Sequence, residues 1–83
     1  MKAQITPEIQ NALDDIEKCQ ETCKKHYWEN IHDDPGCAAC WSRIAAAYEY
    51  SHVVFAKAVG AESKWEDQID WIESELIGKH YNQ

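Results

Sequence analysis

Apolar residues return at helical intervals in three stretches of this chain. In the first, Ile9, Leu13, Ile16, Cys23 and Tyr27 fall three, four and seven residues apart, with Gln20 the one polar interruption. Thr6 is a good N-cap ahead of Pro7, which suits the first helical position, and Glu8 puts an acid where the helix dipole favours one. After the turn Asp33-Asp34-Pro35-Gly36, a second stripe runs through Cys37, Trp41, Ile44, Tyr48, Phe55 and Val59, broken by Ser51 and closed by Gly60. Its other faces also carry Ala45-Ala46-Ala47, Tyr50 and Val53-Val54, the mark of a helix that packs on more than one neighbour. Ser63 with Glu66 reads as a capping box for a third helix with the stripe Trp65, Ile69, Ile72 and Leu76. The pattern predicts an all-α domain with helices over about 7–25, 35–59 and 64–80: an antiparallel hairpin with a third amphipathic helix packed along it as a three-helix bundle.

Composition narrows the picture. Eighty-three residues allow one core, and a chain of this size often needs a metal, a cross-link or a partner subunit for stability. With 45% hydrophobic residues, three Gly and two Pro, the chain is too apolar for disorder and too poor in turn residues for a many-stranded sheet. The net charge of −7 argues against binding nucleic acid, which takes clustered Lys and Arg, and favours a basic partner. The amino terminus shows no apolar core of signal-peptide length, and no stretch approaches the roughly 20 apolar residues of a membrane span. The expectation is a cytoplasmic chain without membrane contact, whose thiols sit in a reducing compartment.

Four cysteines form two close pairs, Cys19-x-x-x-Cys23 and Cys37-x-x-Cys40, each spaced to put both sulfurs on one side of a helix. If the pairs face each other across the hairpin, Cys19 opposite Cys40 and Cys23 opposite Cys37, the turn must centre near residue 30. The first helix then stops near Lys24-Lys25-His26, and residues 27 to 34 form a loop holding Tyr27, Trp28, Ile31 and His32. That is an aromatic load suited to folding over a metal or a partner. A turn confined to residues 32 to 36 would instead centre near 34 and set Cys23 towards Ala45, with the aromatics continuing the first helix. Four converging thiols would make a tetrahedral zinc site, with ligands about 2.3 Å from the ion, and zinc is the cofactor expected at Cys19, Cys23, Cys37 and Cys40. His26 and His32 are possible substitutes for one thiol. The alternative is a ladder of two disulfides, Cys19–Cys40 and Cys23–Cys37. This arrangement resembles the helical-hairpin architecture of proteins with twin Cys-x-x-x-Cys motifs, such as small mitochondrial intermembrane-space chaperones and plant hairpin peptides. The likeness covers residues 19 to 40 and departs at the second pair, which is one residue shorter. A redox-active Cys37-Ala38-Ala39-Cys40 lacks the βαβ setting usual for such a motif, and the spacing matches no iron–sulfur pattern.

Other chemistry is thinner. Glu49-x-x-His52 and Glu29-x-x-His32 match the short motif with which bundles hold two metals, but a match of this length arises by chance, and Glu49 is placed on the polar flank of the second helix. No Ser/His/acid order, phosphate loop or nucleophile elbow is legible, so the chain is not expected to be an enzyme. Glu66, Asp70 and Glu73 share one acidic stripe on the third helix, and Trp71 projects off its core face. These four residues are the predicted partner-binding set, a Trp among carboxylates being a plausible hot spot. Apolar area exceeds what three helices can cover, which predicts a homo-oligomer. The function expected is a small acidic protein-binding module, an adaptor or inhibitor of a larger basic-surfaced protein, such as a phage- or plasmid-encoded accessory factor. Metal storage or sensing by the cysteine cluster is one alternative. An oligomeric small-molecule or nucleotide binder is another.

Overall fold

The computed structural model describes residues 5–77. Helix α1 spans Pro7–Asn30 and α2 spans Pro35–Val59; a 3₁₀ turn, Glu66–Gln68, then leads into α3, Ile69–Ile77. Local chemistry fixes the boundaries. Thr6 Oγ accepts the Ile9 N–H at 3.2 Å, and the Asp34 carboxylate accepts the Cys37 N–H at 3.1 Å, with Pro7 and Pro35 in the first turns. Helix α2 ends where Gly60 takes φ 77°, a left-handed conformation open to glycine, and Ala61 N–H returns to Ala56 O at 2.8 Å.

Two boundaries depart from the sequence reading. Helix α1 does not stop near residue 25 but runs on through Trp28 to Asn30, so the expected loop over 27 to 34 shrinks to a turn at residues 31–34. Nothing in Lys24-Lys25-His26-Tyr27 breaks a helix, and the first true stop is the Asp33-Asp34-Pro35 group. Asn30 Nδ2 closes the last turn by donating to His26 O at 2.7 Å. The third helix begins at Ile69 after a 3₁₀ turn: Ser63 Oγ takes the Trp65 N–H at 3.3 Å, and the Glu66 N–H that a capping box would send to that hydroxyl goes to the Ser63 carbonyl at 3.2 Å. The predicted residues 78–80 of that helix lie outside the described residues.

Helix α2 is central. It packs along α1 on one side and α3 on the other, while α1 and α3 scarcely meet, so the three form a shallow layer, 47 × 27 × 14 Å, and not a closed bundle. Both neighbours run antiparallel to α2. Glu17 pairs with His52, Gln20 with Glu49 and His26 with Trp41, giving midpoints between residues 33.5 and 34.5. On the other side His52 meets Trp65 and Ser42 meets Glu75.

The core stripe predicted for α3 is where the core lies: Ile72 is fully buried and clusters with Trp65, Ala46 and Val53, with Tyr50, Ile69 and Leu76 packed against it. The stripe predicted for α2 is not. Its buried face is Ala38, Ala45, Ala46, Glu49, His52, Val53 and Ala56, roughly a quarter turn away at 3.6 residues per turn. Cys37, Trp41, Tyr48, Phe55 and Val59 are half-covered and Ile44 is exposed. Alanines let two neighbouring helices come close, so the small residues go inside and the large ones flank the seams.

Candidate functional site: an aromatic cleft at the turn end

The register of the hairpin decides the fate of the cysteines. It sets Cys23 level with residues 44–46 of α2, whereas Cys37 lies seven to nine residues nearer the turn, about 10–14 Å away at 1.5 Å per residue. Cys19 and Cys40 are offset by a similar distance. The convergence expected of Cys19, Cys23, Cys37 and Cys40 therefore does not form, because α1 continues past residue 25 and moves the turn centre from 30 to about 34. All four are free thiols, and among the described residues no group of three or more His, Cys, Asp or Glu is arranged to hold a metal ion. Cys19 and Cys23 instead gather around Tyr48. Burial pushes the Cys23 thiol up from its ordinary value, with Cys19 adding to the rise, and negative charge on Cys19 together with its hydrogen bond to the phenol raises Tyr48. His26 stacks on Trp41, ring centroids 4.4 Å apart, and its Nδ1 donates to the Glu29 carboxylate at 3.1 Å, while His32 is exposed.

Polar groups of the interior answer one another across elements. Gln20, the polar interruption of the α1 stripe, donates its amide to Glu49 at 2.7 Å, and both are buried, so Glu49 is not on a polar flank. His52, 3% exposed, has Nδ1 2.7 Å from Ser63 Oγ and Nε2 3.4 Å from a Glu17 oxygen; the other Glu17 oxygen pairs with Lys64 at 3.1 Å. The carboxylate favours the ring proton on Nε2, leaving Nδ1 to accept the Ser63 hydroxyl. His52 Nε2 itself makes no hydrogen bond, so a hydroxyl, an imidazole and a carboxylate lie near one another without a continuous hydrogen-bonded relay, a grouping the sequence did not show because they come from three separate elements. Ser63 Oγ also accepts the Trp65 N–H at 3.3 Å, as a turn-forming serine does, and the set clamps α1 to the α2–α3 corner.

The distinctive surface is at the other end. The last turns of α1, the first turns of α2 and the middle of α3 enclose an open cleft of about 550 Å³. Tyr27, Trp28 and Ile31 form one wall, Trp71 and Glu75 the other, and Pro35, Ala38, Ala39 and Ser42 the floor, with Lys24 at the rim. Trp28 is 63% and Trp71 55% exposed, and Trp28 meets Tyr27 edge-on, centroids 5.0 Å apart. Ala38 and Ala39 are small and leave the space above the floor open, and the floor is braced where Ser42 Oγ donates to the buried Glu75 carboxylate at 3.0 Å. Extension of α1 builds the site, since it carries Tyr27, Trp28 and Ile31 onto one wall.

The predicted partner-binding residues do not form one patch. Trp71 enters the cleft; Glu66 and Asp70 are exposed, Glu66 within the 3₁₀ turn; and Glu73 lines a groove between α2 and α3 beside Tyr50 and Val54. Trp28, Tyr27 and Ile31 were legible as an unusual aromatic load, but their meeting with Trp71 was not, because it depends on the α2–α3 register. Among the described residues no helix is long and apolar enough to cross a membrane. In comparisons with known proteins, no family model, curated protein or solved structure matches the chain.

Proposed function

We propose that the chain is a small acidic protein-binding module, an adaptor or inhibitor, whose recognition site is the Trp28–Trp71 cleft. The observation that carries this reading is that two tryptophans from different helices, each more than half exposed, line one concavity together with Tyr27 and Ile31. Leaving that much aromatic surface in water is unfavourable, and solvent-facing Trp and Tyr clustered around a hollow are the usual anchors of an interface. The occupant is a segment of a partner protein that inserts an apolar or aromatic side chain. Asp33 precedes the turn end of the cleft and Asp70 precedes Trp71, so that, with a net charge of −7, basic residues beside the anchor are favoured. A small molecule is the second reading, favoured by a volume within the range of ligand pockets.

Selection of random peptides on the immobilised protein tests the proposal. Enriched peptides should carry a large apolar residue with Lys or Arg nearby, lose binding to W28A and W71A, and weaken as salt rises. Peptides that bind both variants as well as the wild type would place recognition elsewhere.

A further inference from the structure

Over five turns of α2 the face turned away from both neighbours carries no charge. Cys40, Ile44, Ala47, Ser51, Val54 and Ala58 recur at alternating spacings of four and three, and all six are exposed. Ile44 keeps 42% and Val54 48% of its surface open. That is the spacing of a helix–helix seam, and in a chain with 28% charged residues a solvated face of this length should carry Lys and Glu.

The seam is also self-complementary. Its order of sizes, small, large, small, small, large, small, reads the same in both directions. Beside it, between α2 and α3, lie two hollows: one of about 400 Å³ lined by Arg43, Ile44, Ala47 and Leu76, the other of about 350 Å³ lined by Val54, Lys57, Ile69 and Glu73. We propose that this face binds a second copy of the chain, the two α2 helices antiparallel about a two-fold axis midway between Ala47 and Ser51. The axis sets the partner's Ile44 level with Val54 and the partner's Val54 level with Ile44, so each large side chain meets a hollow. Ala47 and Ser51 at the centre let the helices approach closely. The partner's Arg43 arrives level with residue 55, at the hollow that Glu73 and Lys57 line, so that at both ends Glu73 is placed between a lysine of its own copy and the partner's arginine. A foreign helix could cover the apolar seam, but only a second copy matches both the order of sizes and the Arg43–Glu73 pairing from one sequence.

The seam is about 27 Å long and a helix about 10 Å wide; with the short α3 beside it the footprint is roughly 400 Å² per copy before surface relief is counted. That is about half of the 800 Å² per partner that a stable interface buries and falls among weak, transient contacts, so the dimer should form only at high-micromolar concentration and dissociate on dilution. This face lies on the far side of α2 from the Trp28–Trp71 cleft, so the dimer stands or falls independently of peptide recognition there.

Sedimentation across a dilution series, with reductant present, tests the proposal. The wild type should approach twice the 9.6 kDa protomer mass at high-micromolar concentration and fall towards it on dilution. I44E and V54E should stay monomeric with helical circular dichroism unchanged. R43E should weaken the dimer and R43E/E73R restore it. After mild oxidation, peptide mapping of A58C should show a Cys40-to-residue-58 link between copies. A wild type that stays at 9.6 kDa throughout, a dimer untouched by I44E and V54E, or a predominant Cys40–Cys40 link would overturn it.

Discussion

Gln20 Nε2 donates to Glu49 Oε2 at 2.7 Å, joining residues 29 apart in sequence within the interior between α1 and α2. A buried carboxylate needs a donor, so this bond selects one sliding position of the hairpin over its neighbours. Gln20→Leu strands the carboxylate and should cost about 1.5–3 kcal/mol in urea unfolding, the range for a lost bond to a charged group. Glu49→Gln keeps an amide pair and should cost less than about 1 kcal/mol. Equal effects of the two substitutions would remove the pair from the list of register determinants.

The Glu17–His52–Ser63 clamp makes a separate prediction. Ser63→Ala leaves His52 Nδ1 buried without a partner and frees the Trp65 N–H, a loss of about 1–3 kcal/mol and, for a domain of this size, a melting temperature lower by several degrees. Ser63→Thr, which retains the hydroxyl, should recover most of it. Calorimetry distinguishes the two.

Stability should fall in alkaline solution. The folded Cys23 thiol holds its proton more tightly than the ordinary value of 9.0, through burial first and Cys19 second. The unfolded chain therefore ionises first, and the contribution present below pH 9.0 is lost as pH rises through the folded value. Tyr48, raised from 10.0, acts in the same direction. Denaturant midpoints between neutral pH and the alkaline range should decline less steeply in Cys23→Ala than in the wild type; parallel slopes would contradict the assignment.

Two tryptophans on the α3 side should behave oppositely. Trp65 belongs to the core with Ile72 and Val53, and Trp65→Ala should cost about 3–5 kcal/mol. Trp71 is more than half exposed, and Trp71→Ala should cost no more than about 1 kcal/mol while removing peptide binding at the cleft. Chemical denaturation read beside a binding titration separates stability from recognition.

Fold class, the α2 boundaries and the Trp65-Ile69-Ile72-Leu76 stripe were legible because each rests on residues within a few positions of one another. The end of α1 and the buried face of α2 were not, because local spacing does not fix how two helices slide and rotate against each other. Cys19-x-x-x-Cys23 and Cys37-x-x-Cys40 looked like a register mark, but the contacts of Gln20 with Glu49 and of Glu17 with His52, which local spacing does not announce, set it. Likewise Tyr27, Trp28 and Ile31 announced an unusual surface, whereas the opposite wall at Trp71 emerged only once α3 lay antiparallel to α2.

The hairpin register, on which the cleft and the placement of every thiol depend, is tested most directly by nuclear Overhauser contacts in solution. The rings of His26 and Trp41, 4.4 Å apart, should give strong cross-peaks, with helical contacts continuing from Tyr27 to Asn30. Cross-peaks linking the β-protons of Cys23 with Cys37 and of Cys19 with Cys40, in place of those from His26 to Trp41, would contradict it.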